Sequence, residues 1–134
     1  MVSVTLDTNT VLRYLSNDIP SQAQKVQKRL EQAKKNKILL FITPFVIIEI
    51  VYLLDKWYKT SRQDTSDTLI NLFTQTNIEV QDFFVILEAL KQYPKTSVDF
   101  VDLVLWSTAK NSGQQILSFD KHFDKLNPNL RLEP

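Results

Sequence analysis

The chain has 134 residues, of which 43% are hydrophobic and 23% are charged, as in an ordinary globular domain. We predict a single domain over residues 1–134, because this length leaves no room for two full hydrophobic cores. There is no cysteine, one histidine and one glycine. These counts exclude disulfide frameworks, thiolate zinc sites, multi-histidine metal cages and glycine-rich phosphate loops. Carboxylates are the reactive groups that remain in quantity.

The charge balance excludes a strongly cationic nucleic-acid binder. The net charge is +1, from 16 Lys and Arg against 15 Asp and Glu. The N-terminal residues lack the basic start and long apolar stretch of a signal peptide. The longest apolar region, residues 38–54, is short and is interrupted by Thr43, Pro44 and Glu49, which argues against a membrane span. Together with the absence of cysteine, these features predict a cytoplasmic protein that does not contact a membrane.

Patterns typical of strands and helices alternate along the chain. In chain order, they predict strand 2–6, helix 10–15, helix 21–35, strand 38–42, helix 44–58, a helix after residue 60, strand 77–81, helix 83–93, helix 98–111, strand 115–119 and strand 130–132. The helix over 44–58 is apolar nearly all round, so we expect it to be largely buried. The predicted helix caps are Thr8-Asn9, Thr43 before Pro44, Thr60 with Gln63, Asp82 and Ser97.

This alternation predicts an α/β fold in which a central parallel sheet of four to five strands is flanked by helices on both faces. In such sheets, ligands bind outside the carboxyl ends of the strands. Asp7 ends the first predicted strand, and Asp120 directly follows the fourth. We therefore expect both carboxylates at the same edge of the sheet.

Two further positions carry acids where burial is expected. Glu49 has no charged residue within five positions on either side, and an unpaired carboxylate in a buried helix is costly. Asp102 lies in an apolar segment one turn after Asp99, on the same helix face. Like charges that converge raise each other's pKa and need a cation. With oxygen ligands only, Mg²⁺ or Mn²⁺ fits best.

Each acid also has a simpler interpretation. Asp7 could be a turn or cap residue, Glu49 could pair with a buried Lys or Arg, Asp99 could be a first-turn acid favoured by the helix dipole, and Asp120 could belong to an ordinary loop. The remaining residues of catalytic type fit structural roles. His122 is expected to be solvated or to cap a helix, while Trp57, Tyr58 and Trp106 are expected to pack in the core.

Four segments resemble, in order and spacing, those of the PIN-domain ribonucleases. They are Leu6-Asp7-Thr8-Asn9, Ile48-Glu49-Ile50-Val51-Tyr52-Leu53-Leu54, Asp99-Phe100-Val101-Asp102 and Leu117-Ser118-Phe119-Asp120-Lys121-His122-Phe123. The length is similar to that of the VapC-type toxins of type II toxin–antitoxin systems. The resemblance covers essentially the whole chain and implies a parallel sheet flanked by helices.

The resemblance also implies a function and a set of site residues. It implies a Mg²⁺- or Mn²⁺-dependent endoribonuclease that is inhibited by a small antitoxin protein. The metal-binding and catalytic acids would be Asp7, Glu49, Asp102 and Asp120, with Asp99 as an additional acid. Asn9 and Ser118 would be polar residues that hydrogen-bond near the metal. We also expect a homodimer.

An acidic pocket repels phosphate, so basic residues must surround it. Candidates close to the acids in sequence are Arg13, Lys56, Lys59, Arg62 and Lys121. Two alternatives to an enzyme are a PIN fold used only for binding and a receiver-like, metal-binding signalling domain. The receiver-like interpretation requires an acidic pair near the first strand, where this chain has Asp7 alone.

Overall fold

A computed structural model describes all residues from Met1 to Pro134. The chain divides into two compact units, Met1–Phe83 and Phe84–Pro134. No helix is both long enough and apolar enough to cross a membrane.

The first unit is built around a parallel sheet of three strands. Its elements are β1 (Val2–Thr5), α1 (Thr8–Ser16), α2 (Pro20–Lys34), β2 (Ile38–Ile42), α3 (Pro44–Lys56), α4 (Arg62–Phe73) and β3 (Ile78–Val80). The strand order is β1-β2-β3, with Val2 opposite Ile38 and Leu40 opposite Ile78. β2 is central because its run of five apolar residues can be covered on both faces. The core includes Ile42 of β2 and Ile47 of α3, both fully buried.

The second unit contains two helices and a two-stranded parallel sheet. Its elements are α5 (Phe83–Gln92), a 3-10 helix (Tyr93–Lys95), α6 (Phe100–Asn111), β4 (Ile116–Leu117), a second 3-10 helix (Lys121–Lys125) and β5 (Arg131–Leu132). β4 pairs with β5, so that Ile116 lies opposite Arg131. Leu90, Leu103 and Phe123 are buried in its core.

The predicted α/β class with parallel strands is confirmed, but the number of strands in one sheet is not. The five strands form a sheet of three and a sheet of two, where one sheet of four to five was expected. The predicted strand 115–119 is reduced to β4, because the hydroxyl of Ser118 accepts a hydrogen bond from the backbone N–H of Asp120. This local turn ends the strand early.

Helix starts were predicted with mixed success. Thr43 and Pro44 begin α3 as expected, with the Thr43 hydroxyl accepting from the N–H of Val46. The cap of α1 is Asp7, where Thr8-Asn9 was expected, and the cap of α4 is Ser61, where Thr60 was expected. The helix predicted to follow Ser97 begins later, with Asp99 at its cap position. In each of these three cases the prediction was wrong by one to two residues, because several neighbouring side chains could serve as the cap.

Helix α3 buries one face only, although its sequence is apolar nearly all round. Ile47, Ile50 and Leu54 are buried at helical spacing, whereas Phe45 is 87% exposed and Tyr52 is also exposed. The expectation of a largely buried helix was therefore wrong. Hydrophobicity alone does not specify which face of such a helix is covered.

Candidate metal centre

Three side chains of the second unit meet at one place. Asp102 lies in the first turn of α6, Asp120 follows β4, and His122 lies in the 3-10 helix Lys121–Lys125. One potential ligand atom from each lies within 4.8 Å of the other two. The Nδ1 atom of His122 is 2.7 Å from Oδ1 of Asp120, and its Nε2 atom is 3.3 Å from Oδ2 of Asp102. The structure thus brings two of the predicted acids together around the single histidine.

The Asp120 loop is fixed by the short β4–β5 sheet. The Ser118 hydroxyl accepts from the N–H of Asp120 at 2.9 Å, while the Ser118 N–H donates to the carbonyl of Leu132. The guanidinium of Arg131 donates to the Ser118 carbonyl at 3.0 Å. Arg131 is held in turn by an ion pair with Asp124. Ser118 therefore acts on the orientation of Asp120 through the backbone.

The donor set of this cluster fits a divalent cation. Two carboxylates and an imidazole are ordinary ligands for Mn²⁺, and carboxylates are the usual ligands for Mg²⁺. The Nε2 atom of His122 is buried and has no hydrogen-bond partner, although it lies 3.3 Å from Oδ2 of Asp102. A buried polar atom without a partner is uncommon and calls for an explanation such as an ion. We name Asp102, Asp120 and His122 the acid–histidine cluster.

The pKa of Asp102 is raised above its usual value. Burial is the main factor that raises the pKa of Asp102 above its usual value, and the negative charges of Asp99 and Asp120 add to it. His122 opposes this shift. The raised pKa of Asp102 therefore has burial as its main cause, with a smaller contribution from the two neighbouring acids. A cation bound beside it would supply the missing positive charge.

Asp99 is exposed and occupies the cap position of α6 without a hydrogen bond from its side chain to the helix. Its backbone carbonyl accepts from the N–H groups of Asp102 and Leu103. The negative charge of Asp99 contributes to the raised pKa of Asp102, and the role of Asp99 as an additional acid stays a prediction.

Asp7 belongs to the first unit, where it caps α1. Its Oδ1 atom accepts from the backbone N–H of Thr10 at 2.8 Å. Hydrogen bonds from the hydroxyl and then the N–H of Thr10 hold the pKa of Asp7 below its usual value. The cap interpretation of Asp7 is therefore confirmed, and a raised pKa there is not observed. A role of Asp7 in metal binding stays a prediction.

Glu49 also belongs to the first unit and is exposed on α3. The expectation of a buried, unpaired carboxylate was wrong, because the buried face of α3 carries Ile47, Ile50 and Leu54 and leaves Glu49 outside it. A buried Lys or Arg partner is not required. Its role as a metal ligand stays a prediction.

The other predicted polar residues lie at the surface or close to it. Asn9 is exposed in α1, and Arg13 is half-buried with an ion pair to Asp18 at 3.3 Å. The Nζ atom of Lys56 lies 3.5 Å from Oδ2 of its neighbour Asp55. The remaining three basic candidates are the exposed Lys59 and Lys121 and the first residue of α4, Arg62.

Two residues differ from their predicted environments in ways that bear on function. The side chain of His122 is 25% exposed and lies between two carboxylates, where a solvated or capping residue was expected. Trp57 is 76% exposed, so the prediction that it packs in the core was wrong, whereas Trp106 is buried as predicted. The signal for His122 was available in its position two residues after Asp120. The lysines that flank Trp57 were a local signal for its exposure, since Trp106 follows a largely apolar segment.

Comparisons with known proteins show which family the chain resembles. The family model of the PIN domain matches residues 4–127, a range that includes every predicted acid. A VapC ribonuclease of Aquifex aeolicus (strain VF5) is 32% identical over 124 residues, which are 90% of this chain and 90% of that protein. No solved structure matches the chain.

Proposed function

Because the chain belongs to the PIN-domain family, we propose that it is a metal-dependent endoribonuclease and the toxin component of a toxin–antitoxin pair. The observation that carries the proposal is the similarity to a VapC ribonuclease along 90% of both chains. The acid–histidine cluster supports it independently, because its ligands suit the cation that such hydrolysis needs. No observation favours a receiver-like domain or a PIN fold used only for binding.

We propose that Asp102 and Asp120 hold a Mg²⁺ or Mn²⁺ ion through their carboxylate oxygens. When bound, an ion of this kind supplies Lewis-acid stabilisation of the charge that develops on the phosphodiester. The Ser118 hydroxyl accepts from the backbone N–H of Asp120, so Ser118 would support the Asp120 loop when the ion is held. By the match to the family's pattern, Asp7, Glu49 and Asp99 are proposed as further acids of the reaction, and Asn9 as a polar group near it.

The RNA must approach these acids against their negative charge. We propose that basic side chains contact its phosphates and offset this repulsion. The candidates remain Arg13, Lys56, Lys59, Arg62 and Lys121, which the family match does not single out. Because the net charge is only +1, contacts with phosphate alone would give weak and unselective binding.

The partners and the domain organisation are also proposals. A small antitoxin protein and a second copy in a homodimer are proposed from the similarity to VapC, together with a cytoplasmic location. We further propose that residues 1–134 act as one PIN domain, because the family match takes in residues of both compact units. A single cooperative transition, seen alike by circular dichroism and by tryptophan fluorescence, would support one domain, and two separate transitions would contradict it.

The nuclease activity is tested by incubating the purified protein with total RNA, with Mg²⁺ or with Mn²⁺, and with EDTA. We expect cleavage with either metal and none with EDTA. Asp102→Asn should abolish cleavage, whereas Glu31→Gln, an exposed acid of α2, should cleave like the wild type. Equal cleavage by the wild type and Asp102→Asn, purified in the same way, would indicate a contaminant and contradict the proposal.

A further inference from the structure

An open cavity of about 390 Å³ lies in the first unit, between the C-terminal part of α3 and α1. Its polar lining consists of Asn9, Arg13, Asp18, Trp57 and Tyr58, and two leucines complete it. We name it the Trp57 pocket. Its volume lies within the range of about 300–1,000 Å³ that is usual for sites of small ligands.

Trp57 is exposed although its backbone is well held. The residue ends α3, where its N–H donates to the carbonyl of Leu53 at 2.9 Å. The indole remains 76% exposed. A large aromatic ring that is exposed to water does not stabilise the fold, because apolar surface is stabilising only when it is buried. The position of the ring at an open cavity therefore suggests a ligand that stacks on it.

The sequence around the ring has the pattern of a surface that binds single-stranded nucleic acid. Lys56-Trp57-Tyr58-Lys59 places two aromatic residues between two exposed lysines. Such surfaces combine positive charges that attract the backbone with aromatic rings on which the bases stack. A lipid surface or an apolar peptide would need a larger apolar area than this largely polar pocket offers.

The polar groups of the pocket suit the edge of a base better than a phosphate. The Asp18 carboxylate accepts from the Ser16 hydroxyl at 2.8 Å and from the Tyr58 hydroxyl at 3.2 Å, and it pairs with Arg13. The hydrogen bond from Ser16 is the main factor that keeps the pKa of Asp18 below its usual value. An ionised carboxylate repels phosphate but accepts from the amino groups of bases. Asn9 offers both a donor and an acceptor.

We propose that the Trp57 pocket binds one unpaired nucleobase of the RNA substrate, which stacks on the indole of Trp57 and presents its polar edge to Asp18 and Asn9. This inference rests on the proposed ribonuclease function and adds a contact with the substrate to it. Asn9 lies in the first turn of α1, two residues after Asp7, which caps the same helix. The pocket thus selects RNA with an unpaired nucleotide.

The first test measures the affinity for a short, single-stranded RNA of mixed sequence by fluorescence anisotropy in EDTA, which prevents cleavage. We expect Trp57→Ala to raise the Kd about tenfold, because the stacking of a base on an aromatic ring contributes to the affinity. Trp57→Phe should raise it less, since it keeps an aromatic face. The matched control is Phe45→Ala, which removes an even more exposed aromatic residue from the other end of α3 and should leave the Kd unchanged. An unchanged Kd for Trp57→Ala would overturn the inference.

The second test separates stacking from attraction by charge. Trp57→Ala should leave the dependence of the Kd on salt unchanged, because a stacked base releases no counterions. RNA should quench the fluorescence of the wild type, and Trp57→Phe, which retains only the buried Trp106, should lose this quenching. Quenching that persists in Trp57→Phe would contradict a base on Trp57.

The outcomes for the pocket and for the nuclease are distinguishable. Binding that depends on Trp57, without cleavage in Mg²⁺ or Mn²⁺, would support the pocket and contradict the nuclease. Normal cleavage, with a KM and a Kd that Trp57→Ala does not alter, would support the nuclease and contradict the pocket.

Discussion

The imidazole of His122 lies within 2.7 Å of Asp120 through Nδ1, and its opposite nitrogen lies 3.3 Å from Asp102. One ring therefore contacts carboxylates that are 18 residues apart in the chain. The ring packs against buried Phe123, with 4.6 Å between the ring centroids. His122 thus lies between the two carboxylates, and its Nε2 atom has no hydrogen-bond partner.

Asp102→Asn should stabilise the metal-free protein by about 1 kcal/mol, as is common where a functional site holds unfavourable charge. The pKa of Asp102 is raised in the folded state, chiefly by burial, so the ionised form is disfavoured there. The ionised carboxylate therefore lowers the stability of the folded protein. This destabilisation is fully present above the pKa of Asp102 in the folded state and disappears as the pH falls to its pKa in the unfolded state. Denaturant unfolding in EDTA should accordingly show a higher free energy of unfolding for Asp102→Asn than for the wild type at pH 7. This difference should become smaller at acidic pH. A loss of stability at pH 7 would contradict the prediction.

Mg²⁺ should stabilise the wild type by mass action, because the ion binds the assembled site and not the unfolded chain. At ten times its Kd, the gain is about 1.4 kcal/mol. Thermal melts in EDTA and with Mg²⁺ should show a rise in Tm for the wild type and for Glu31→Gln, and a much smaller rise for Asp102→Asn. An equal rise in all three proteins would mean that the ion binds elsewhere.

Substitutions of Asp7 should separate its two roles. Asp7→Asn should abolish cleavage and leave stability nearly unchanged, because Asn caps helices as well as Asp does. Asp7→Ala should also abolish cleavage, and it should cost about 1 kcal/mol because the N–H of Thr10 loses its acceptor. Cleavage assays and urea unfolding of both variants test this. If Asp7→Asn cleaves RNA as fast as the wild type does, Asp7 acts only as a helix cap.

Glu88 should make the second unit sensitive to acid. Burial raises the pKa of Glu88, but hydrogen bonds outweigh this effect and hold the pKa below its usual value. The donors are Lys110, Ser107 and Asn111 on α6. The stabilisation is present above the unfolded pKa and is lost as the pH falls through the folded pKa. Glu88→Gln should therefore lower the free energy of unfolding at pH 7. The free energy of unfolding of this variant should also depend less on pH in the acidic range than that of the wild type. Identical acid unfolding curves for the two proteins would contradict this.

Expression without an antitoxin should suppress growth of the native host. Asp102→Asn should not, because the suppression depends on cleavage of RNA. Colony counts after induction, with equal protein levels verified on blots, measure the difference. If both forms are harmless while the purified wild type cuts RNA, the protein is a nuclease and not a toxin.

The sequence was most informative where a signal is local. Thr43 before Pro44 fixes the start of α3, because a capping hydroxyl and a proline act within one turn. The exposure of Glu49 and Trp57 depends on which face of α3 is covered, and that is decided by other elements. The contact of His122 with Asp102 likewise joins residues 20 positions apart. Such tertiary relationships leave no periodic pattern in the sequence.

The β4–β5 sheet carries a consequence for genetics. Arg131 and Leu132 lie beyond the residues that the family model matches, yet both bind the backbone of Ser118 and through it hold the Asp120 loop. Bacteria that survive induction of an active nuclease are enriched in alleles that inactivate it. Among such survivors, lesions at Arg131 should appear beside those at the acids, because they would leave the protein folded but the Asp120 loop without its anchor.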